Sequence, residues 1–144
     1  MEQKKNGDNL LQTEIERRTV RGFIEELSPG EIFVFGSTPD GHHGGGTARM
    51  AYDRFGALWG KGAGFYGQSY ALPVMQNPAS MQPYVNEFIA FAAEHPDRIF
   101  LVTEIGYDIA DFSPKNVAPL FKKAVNVSNI HLPRSFWHEL QIIH

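Results

Sequence analysis

The chain contains no cysteine, which excludes a disulfide framework, a thiol nucleophile and a thiolate-held metal, and suits a reducing compartment. It also lacks a dominant charge: 13 basic and 16 acidic residues, with no long block of either sign, leave a net charge of −3. That balance gives no electrostatic footprint for a nucleic-acid polymer. No apolar run approaches the roughly 18 residues of a spanning helix, and the opening MEQKKNGDN has no hydrophobic centre of the kind a signal peptide needs. The expectation is a cytoplasmic protein with neither a membrane nor a nucleic-acid polymer as partner. What the chain does have is an apolar fraction of 42% and a supply of 11 Phe, 5 Tyr and 2 Trp, enough for one core in 144 residues. Residues 1–9 are polar and read as a flexible end, and residues 10–144 as a single domain.

Periodicity predicts the elements. Thr13 and Glu16 have the spacing of a capping box for a helix that carries Ile15, Val20, Phe23, Ile24 and Leu27 on one side and ends at Ser28-Pro29-Gly30. Glu31 to Gly36 is a β-branched and aromatic run between two glycines and reads as a buried strand. Ala48, Ala51, Tyr52 and Phe55 then follow helical spacing from Thr47. Ser69 to Val74 is a second strand. Ser80 is placed to cap a helix with Val85, Phe88, Ile89 and Ala92 on its inner face. Ile99 to Gly106 is the most strand-like stretch. Ser113 and Pro114 occupy cap and first-turn positions before Val117, Leu120, Phe121, Ala124 and Val125, Asn129 to Leu132 is a fourth strand, and Ser135 caps a short final helix. Helices alternating with strands imply a three-layer α-β-α fold around a mostly parallel sheet. In such sheets ligands bind beyond the carboxyl ends of the strands.

Glycine is concentrated where that rule points. Of 14 glycines, 10 lie between Gly36 and Gly67. Gly41 to Ala48 (GHHGGGTA) joins the first strand to a helix, and the triplet Gly44, Gly45 and Gly46 lets main-chain N–H groups approach a ligand that any Cβ would hold off. A helix's first turn adds unpaired donors and about half a positive charge, so an anion, most simply a phosphate, is the expected ligand. The competing reading is a tight turn with close helix–sheet packing and no ligand. Neither GxxxxGK[ST] nor a clean GxGxxG with an acidic ribose contact is present.

Four stretches, FGSTPDGHHGGGTARMAYDRFGA, GKGAGFYGQSYALPV, TEIGYDIADF and NVAPLF, resemble an uncharacterised family of small bacterial and phage proteins over residues 31–133. The usual pattern of that family is FGSN…GxHGGGAAxxA…FGA…GxGxxGxSYAIPT…IGCGxAGF…xxAPLF. It is in turn similar to macro domains, which bind ADP-ribose between two glycine-rich loops. The resemblance implies a ligand-binding set of Gly36, Ser37, Thr38, Gly44, Gly45, Gly46, Thr47 and Ala48 in the first loop. In the second loop it implies Gly106, Tyr107, Asp108, Ile109 and Ala110, within a segment matching Gly106 to Phe112. Ser37 and Thr38 stand where an asparagine commonly faces the distal ribose. Two family glycines are replaced by Asp108 and Asp111. A carboxylate about 6 Å from a phosphate costs roughly 2–3 kcal/mol at an effective dielectric near 20, so these positions bear directly on diphosphate binding.

Other constellations are thinner. His42 and His43, with Asp40, Asp53, Asp108 and Asp111, have no chelating spacing, so neither metal nor cofactor is expected and both histidines read as solvent-facing loop residues. As catalytic groups His43, Asp108 and Asp111 are candidates for activating a water, because a histidine exchanges protons near neutral pH and paired carboxylates suit acid–base work. The aspartates suit equally well the capping of the helix near Ser113. Ser37 and Ser69 have no assignable base. Phe65, Tyr66 and Tyr70 are candidates to stack on an adenine or to pack on the sheet, and Trp59 and Trp137 read as core or interface anchors. Three functions follow as expectations: a nucleotide-binding module, an ADP-ribosyl or phosphoester hydrolase, or an interaction protein with a degenerate site.

Overall fold

In the computed structural model, residues 12–106 and 112–140 are described; the polar residues 1–9 and the aspartates Asp108 and Asp111 lie outside them. The chain order is α1 (Gln12–Arg17), β1 (Thr19–Val20), β2 (Glu31–Ser37), α2 (Gly46–Arg54), β3 (Gly64–Tyr66), β4 (Ser69–Pro73), a 3-10 turn (Pro78–Met81) and α3 (Gln82–Ala93). There follow β5 (Ile99–Val102), α4 (Pro114–Val117), a 3-10 segment (Ala118–Asn126), β6 (Ile130–Pro133) and α5 (Arg134–Glu139). The six strands of the described residues form one sheet in the order β1-β6-β5-β2-β4-β3. Every pairing is parallel except that of β3 with β4.

Alternation along β2 explains the three layers. Ile32 and Val34 face a large core built with α3, the 3-10 segment, α4 and α5, whereas Phe33 and Phe35 face a smaller one with Ala48, Ala51 and Phe55 of the α2 region. On α3 the helical spacing of Val85, Phe88, Ile89 and Ala92 places all four in the large core, as their periodicity predicts. Ser113 and Pro114 start α4, with the Ser113 N–H and hydroxyl both donating to Asn116 Oδ1 at 3.1 and 3.0 Å.

The first helix departs most from expectation. It stops at Arg17, where the Thr19 hydroxyl donates to the Ile15 carbonyl at 2.6 Å, and the β-branched pair Thr19-Val20 instead joins the sheet edge beside Leu132 and Pro133. Phe23, expected on the buried side of that helix, is 91% exposed. Three caps and ends also differ. Asn77, not Ser80, caps its turn by accepting from the Ala79 N–H at 3.0 Å. Ser135 lies inside α5 rather than before it, and β5 ends at Val102 instead of continuing to Gly106. The three-residue strand β3 was expected as loop; its pairing with β4 comes from a tight turn at Gly67 and Gln68.

Arg18 fastens the short edge strand. Its side chain is fully buried, and its guanidinium donates to the carbonyls of Ala124, Val125, Val127 and Ile130 at 2.9–3.0 Å, with Nε adding Ile130 at 3.1 Å. Glu14 Oε2 lies 3.4 Å away, and the cation sits 5.1 Å from the centre of the Trp137 ring. Burial pulls the guanidinium below its ordinary pKa, and Glu14 opposes that shift. The Arg18 carbonyl accepts from Leu132 N–H at 3.0 Å and Trp137 Nε1 at 3.1 Å. A cation removed from water is tolerated because every face of it meets an acceptor or a ring. Replacing Arg18 with Met should therefore destabilise the fold by about 3–5 kcal/mol, since several buried carbonyls lose their donor at once. Urea unfolding of the two proteins checks this, and a loss under about 1 kcal/mol would contradict the role.

His131 on β6 gives a pH dependence. Burial, reinforced by Arg18 and Arg17, pulls its pKa down to about 4, and its Nε2 has no hydrogen-bond partner among the described residues. In an unfolded chain histidine protonates near 6.5. Between about pH 6.5 and 4 the unfolded state therefore holds the extra proton, and stability falls as pH falls. At pH 5 the unscreened loss is about 2 kcal/mol, reduced to about 1 kcal/mol by partial solvent contact. His131→Asn should remove that part of the drop between pH 7 and pH 5 in denaturant midpoints; an identical drop would clear the imidazole of responsibility.

Candidate functional site

The strand order places a switch point at β2. β4 lies on one side of it and β5 on the other, so the loops leaving the carboxyl ends of β2 and β5 diverge and open a crevice between them. Gly36, at the end of β2, is enclosed: a Cβ there would lie 2.9 Å from Val74 and 3.1 Å from Ile105, so its missing side chain lets the two loops approach.

Beyond β2 the loop is self-braced. Thr38 accepts from the Gly41 N–H through its carbonyl and from the His42 N–H through its hydroxyl, both at 2.9 Å, while that hydroxyl donates to Asp40 at 2.5 Å. The same bond holds the exposed Asp40 carboxyl below its ordinary range. Gly41 has φ +74, its carbonyl accepts from Gly60 N–H at 2.9 Å, and any side chain on it would run into the backbone of Gly60 and Lys61.

His43 pins the far end. It is fully buried, with Nε2 2.8 Å from the Leu58 carbonyl and Nδ1 3.2 Å from Ser37 Oγ. Since a carbonyl only accepts, Nε2 carries the proton, while Nδ1 faces the Ser37 hydroxyl, which also donates to the Thr38 carbonyl at 3.2 Å. The reading of His43 as a solvent-facing residue is thus corrected: it joins β2, the glycine loop and the Leu58 loop, and neither nitrogen is left for a ligand. Ser37 is likewise buried, and its carbonyl accepts from the Val74 N–H at 2.7 Å. His42 is exposed and packs edge-on against Trp59 at 4.7 Å between centroids.

Past His43 the constraint ends. Gly44, Gly45 and Gly46 are exposed, and their amides have no hydrogen-bond partner among the described residues. Gly46 opens α2 at φ +59, a conformation unfavourable to side chains. Gly45 differs: its backbone is extended, at φ −157, and a Cβ added to it would touch none of the described residues within 4 Å. Thr47 follows in the first turn, and Ala48 is buried against Phe33 and Phe35.

A cleft of about 600 Å³ adjoins this run, with Thr47 and Met50 of α2 on one wall and Arg21 and Phe23 on another. Glu104 and Arg134 close its end beyond β5 and β6. The cleft exists because the connection from β1 to β2 passes β6 and β5 without forming a helix. Only Ile24 and Leu27 of that connection pack into the smaller core, and Arg54 holds it to α2 by donating to the Glu25 carbonyl at 3.2 Å. A second hollow, about 500 Å³, lies at the opposite, amino ends of the strands near Gly30 and Arg98.

The second loop is described only at its ends. Gly106, at φ +96, accepts from the Phe112 N–H at 3.1 Å, so the two ends of the loop meet; Tyr107, Asp108, Ile109, Ala110 and Asp111 lie outside the described residues. Two of the aromatic candidates, Phe65 and Tyr70, resolve as packing. Phe65 stacks with Phe91 at 5.2 Å and under Arg98, and Tyr70 lies in the large core, where burial pushes its phenol up to about 12. Trp137 is fully buried, while Trp59 is half exposed beside Tyr52. Ser69 donates to the Tyr66 carbonyl at 2.7 Å, and Asp53 pairs with Arg49. No cluster of three metal-ligating side chains occurs among the described residues, and no helix there is long and apolar enough to cross a membrane. Arg21 and Arg134 were not singled out by sequence, and Phe23 was read only as part of a helix's inner face; the signal for the arginines was a basic residue at each of two strand ends.

The chain matches no family model, no curated protein and no solved structure.

Three substitutions separate the roles. Gly45→Ala should cost no more than about 1 kcal/mol, the difference between glycine and alanine at an N-cap, because neither its φ nor the described residues around it resist a methyl. Gly46→Ala should lose about 1–2 kcal/mol to left-handed backbone strain. His43→Ala should lose at least about 2 kcal/mol through its two buried hydrogen bonds and the space it leaves. Thermal unfolding of the set ranks them, and a loss at Gly45→Ala as large as that at Gly46→Ala or beyond would show that this glycine serves the fold by more than its cap position.

Proposed function

We propose that the protein binds a phosphate-bearing nucleotide, ADP-ribose or a close derivative, with phosphate on the amides of Gly44, Gly45 and Gly46 and the rest of the ligand in the adjoining cleft. The observation that carries this reading is Gly45, the N-cap of α2 without a capping side chain, where neither the backbone angle nor a contact with the described residues excludes one. Beside it stand solvent-facing amides with no partner among the described residues. Each amide bond to a charged oxygen contributes roughly 1.5–3 kcal/mol and the helix terminus about 0.3–1 kcal/mol. Two or three such bonds with one stacked ring bring micromolar affinity, about 8 kcal/mol, within reach. Phe23, almost wholly exposed on the cleft wall, is a ring available for that stacking. The cleft volume falls in the range typical of small-molecule sites, roughly 300–1,000 Å³.

Binding is favoured over hydrolysis because His43 has both ring nitrogens engaged and is shielded from solvent. A cysteine-free chain of this kind fits a cytoplasmic setting. Calorimetry with ADP-ribose, ADP, AMP and NAD should show binding of at least one of them. Gly45→Asp should weaken it tenfold or more by placing a carboxylate in the path of the phosphate. Silence across the panel at millimolar ligand would remove the proposal.

A further inference from the structure

The cleft holds two arginines that the glycine loop does not explain. β1 and β6 pair in register, Val20 opposite Pro133, so Arg21 and Arg134 are the residues that leave two neighbouring strands side by side, where backbones stand about 5 Å apart. Both side chains are exposed, and both line the cleft. Among the described residues neither makes a hydrogen bond or ion pair. The carboxylate among the described lining residues, Glu104, accepts instead from the Ser135 hydroxyl at 2.5 Å. Two like charges are thus brought together by strand register, neither of them ion-paired among the described residues and with one carboxylate, Glu104, in the same lining, at the mouth of a cavity whose walls include Phe23 and Met50.

From this arrangement we infer that Arg21 and Arg134 form a second anion subsite, which takes a further phosphate of the same ligand. Paired guanidiniums present forked donors that match the oxygens of a phosphomonoester, and a charge near −2 balances two cations better than a single carboxylate does. The ligand class is then a nucleotide with a phosphate at each of two separated positions, one on the glycine amides and one between the arginines. This identity rests on the nucleotide reading, whereas the anion subsite itself stands on the cleft and the strand register.

The test compares AMP, adenosine 2′,5′-bisphosphate and adenosine 3′,5′-bisphosphate by calorimetry on the wild-type protein and on the double variant Arg21→Gln, Arg134→Gln. Both positions are exposed, so the variant should keep the wild-type unfolding midpoint. At least one bisphosphate should bind the wild type about tenfold or more tightly than AMP does, and the double variant should lose that advantage while its AMP affinity stays within about twofold. An advantage of equal size in both proteins, or no advantage for either bisphosphate, overturns the subsite. A separate arm measures the rise of the thermal midpoint with inorganic phosphate. If no nucleotide binds but phosphate stabilises the wild type and not the double variant, the nucleotide reading fails and the subsite survives. If phosphate also leaves the wild type unchanged, both fail.

Discussion

The fold depends on one buried cation. Strand β1 is two residues long, and its register with β6 supplies only a few main-chain bonds, too little to hold an edge by itself. Arg18, immediately before it, spreads its guanidinium over carbonyls from residues 124 to 130 and lies against Trp137, tying the start of the chain to a segment more than 100 residues away. That tie decides where Arg21 to Phe23 emerge, and they emerge at the carboxyl end of the sheet, as a wall of the cleft. A structural staple in the large core therefore positions residues that face the opposite side of the sheet.

The two sides of the sheet are covered unequally, and the site follows from this. One face carries α3, α4, α5 and the 3-10 segment over a core with many fully buried aromatic rings. The other carries α2 and the crossover from β1 to β2, which contributes little more than Ile24 and Leu27 to the packing. Had that crossover been helical, as its apolar spacing suggests, a second helix would lie over β5 and β6 and occupy the cleft. Gly22, at φ +63 just after Val20, is the local feature that turns the chain out of a helical path.

Much of this was legible because it is local. The strand Glu31–Ser37, the helix after the glycine run and the inner face of α3 each rest on short-range periodicity, and each appears within a residue or two of expectation. The glycine loop was visible as a local anomaly of composition. What could not be read is tertiary. Whether Thr19-Val20 prefers helix or strand depends on Leu132 and Pro133 being alongside, and the apposition of Arg21 with Arg134 exists only through that pairing. His43 looked like a loop residue because its partners, Ser37 and Leu58, approach it from opposite directions in the chain. Phe65 and Tyr70 looked available for a base because their neighbours, Phe91 and Phe88, sit on a helix that sequence does not place over them.

The glycines themselves show how fold and site can be told apart. A glycine required by folding leaves a trace in the coordinates, either a positive φ or atoms standing where its Cβ would be. Gly36 and Gly41 leave the second kind and Gly46 the first. Their conformations and contacts would demand glycine whether or not any ligand existed. Gly45 leaves neither among the described residues, yet it sits among exposed amides at the entrance of a helix. As the N-cap of α2, Gly45 stands where folding prefers glycine to alanine but prefers serine, threonine, asparagine or aspartate at least as well, since their side chains would cap the free amides. Under the proposed function, an anion approaching the main chain is a further reason for the missing side chain.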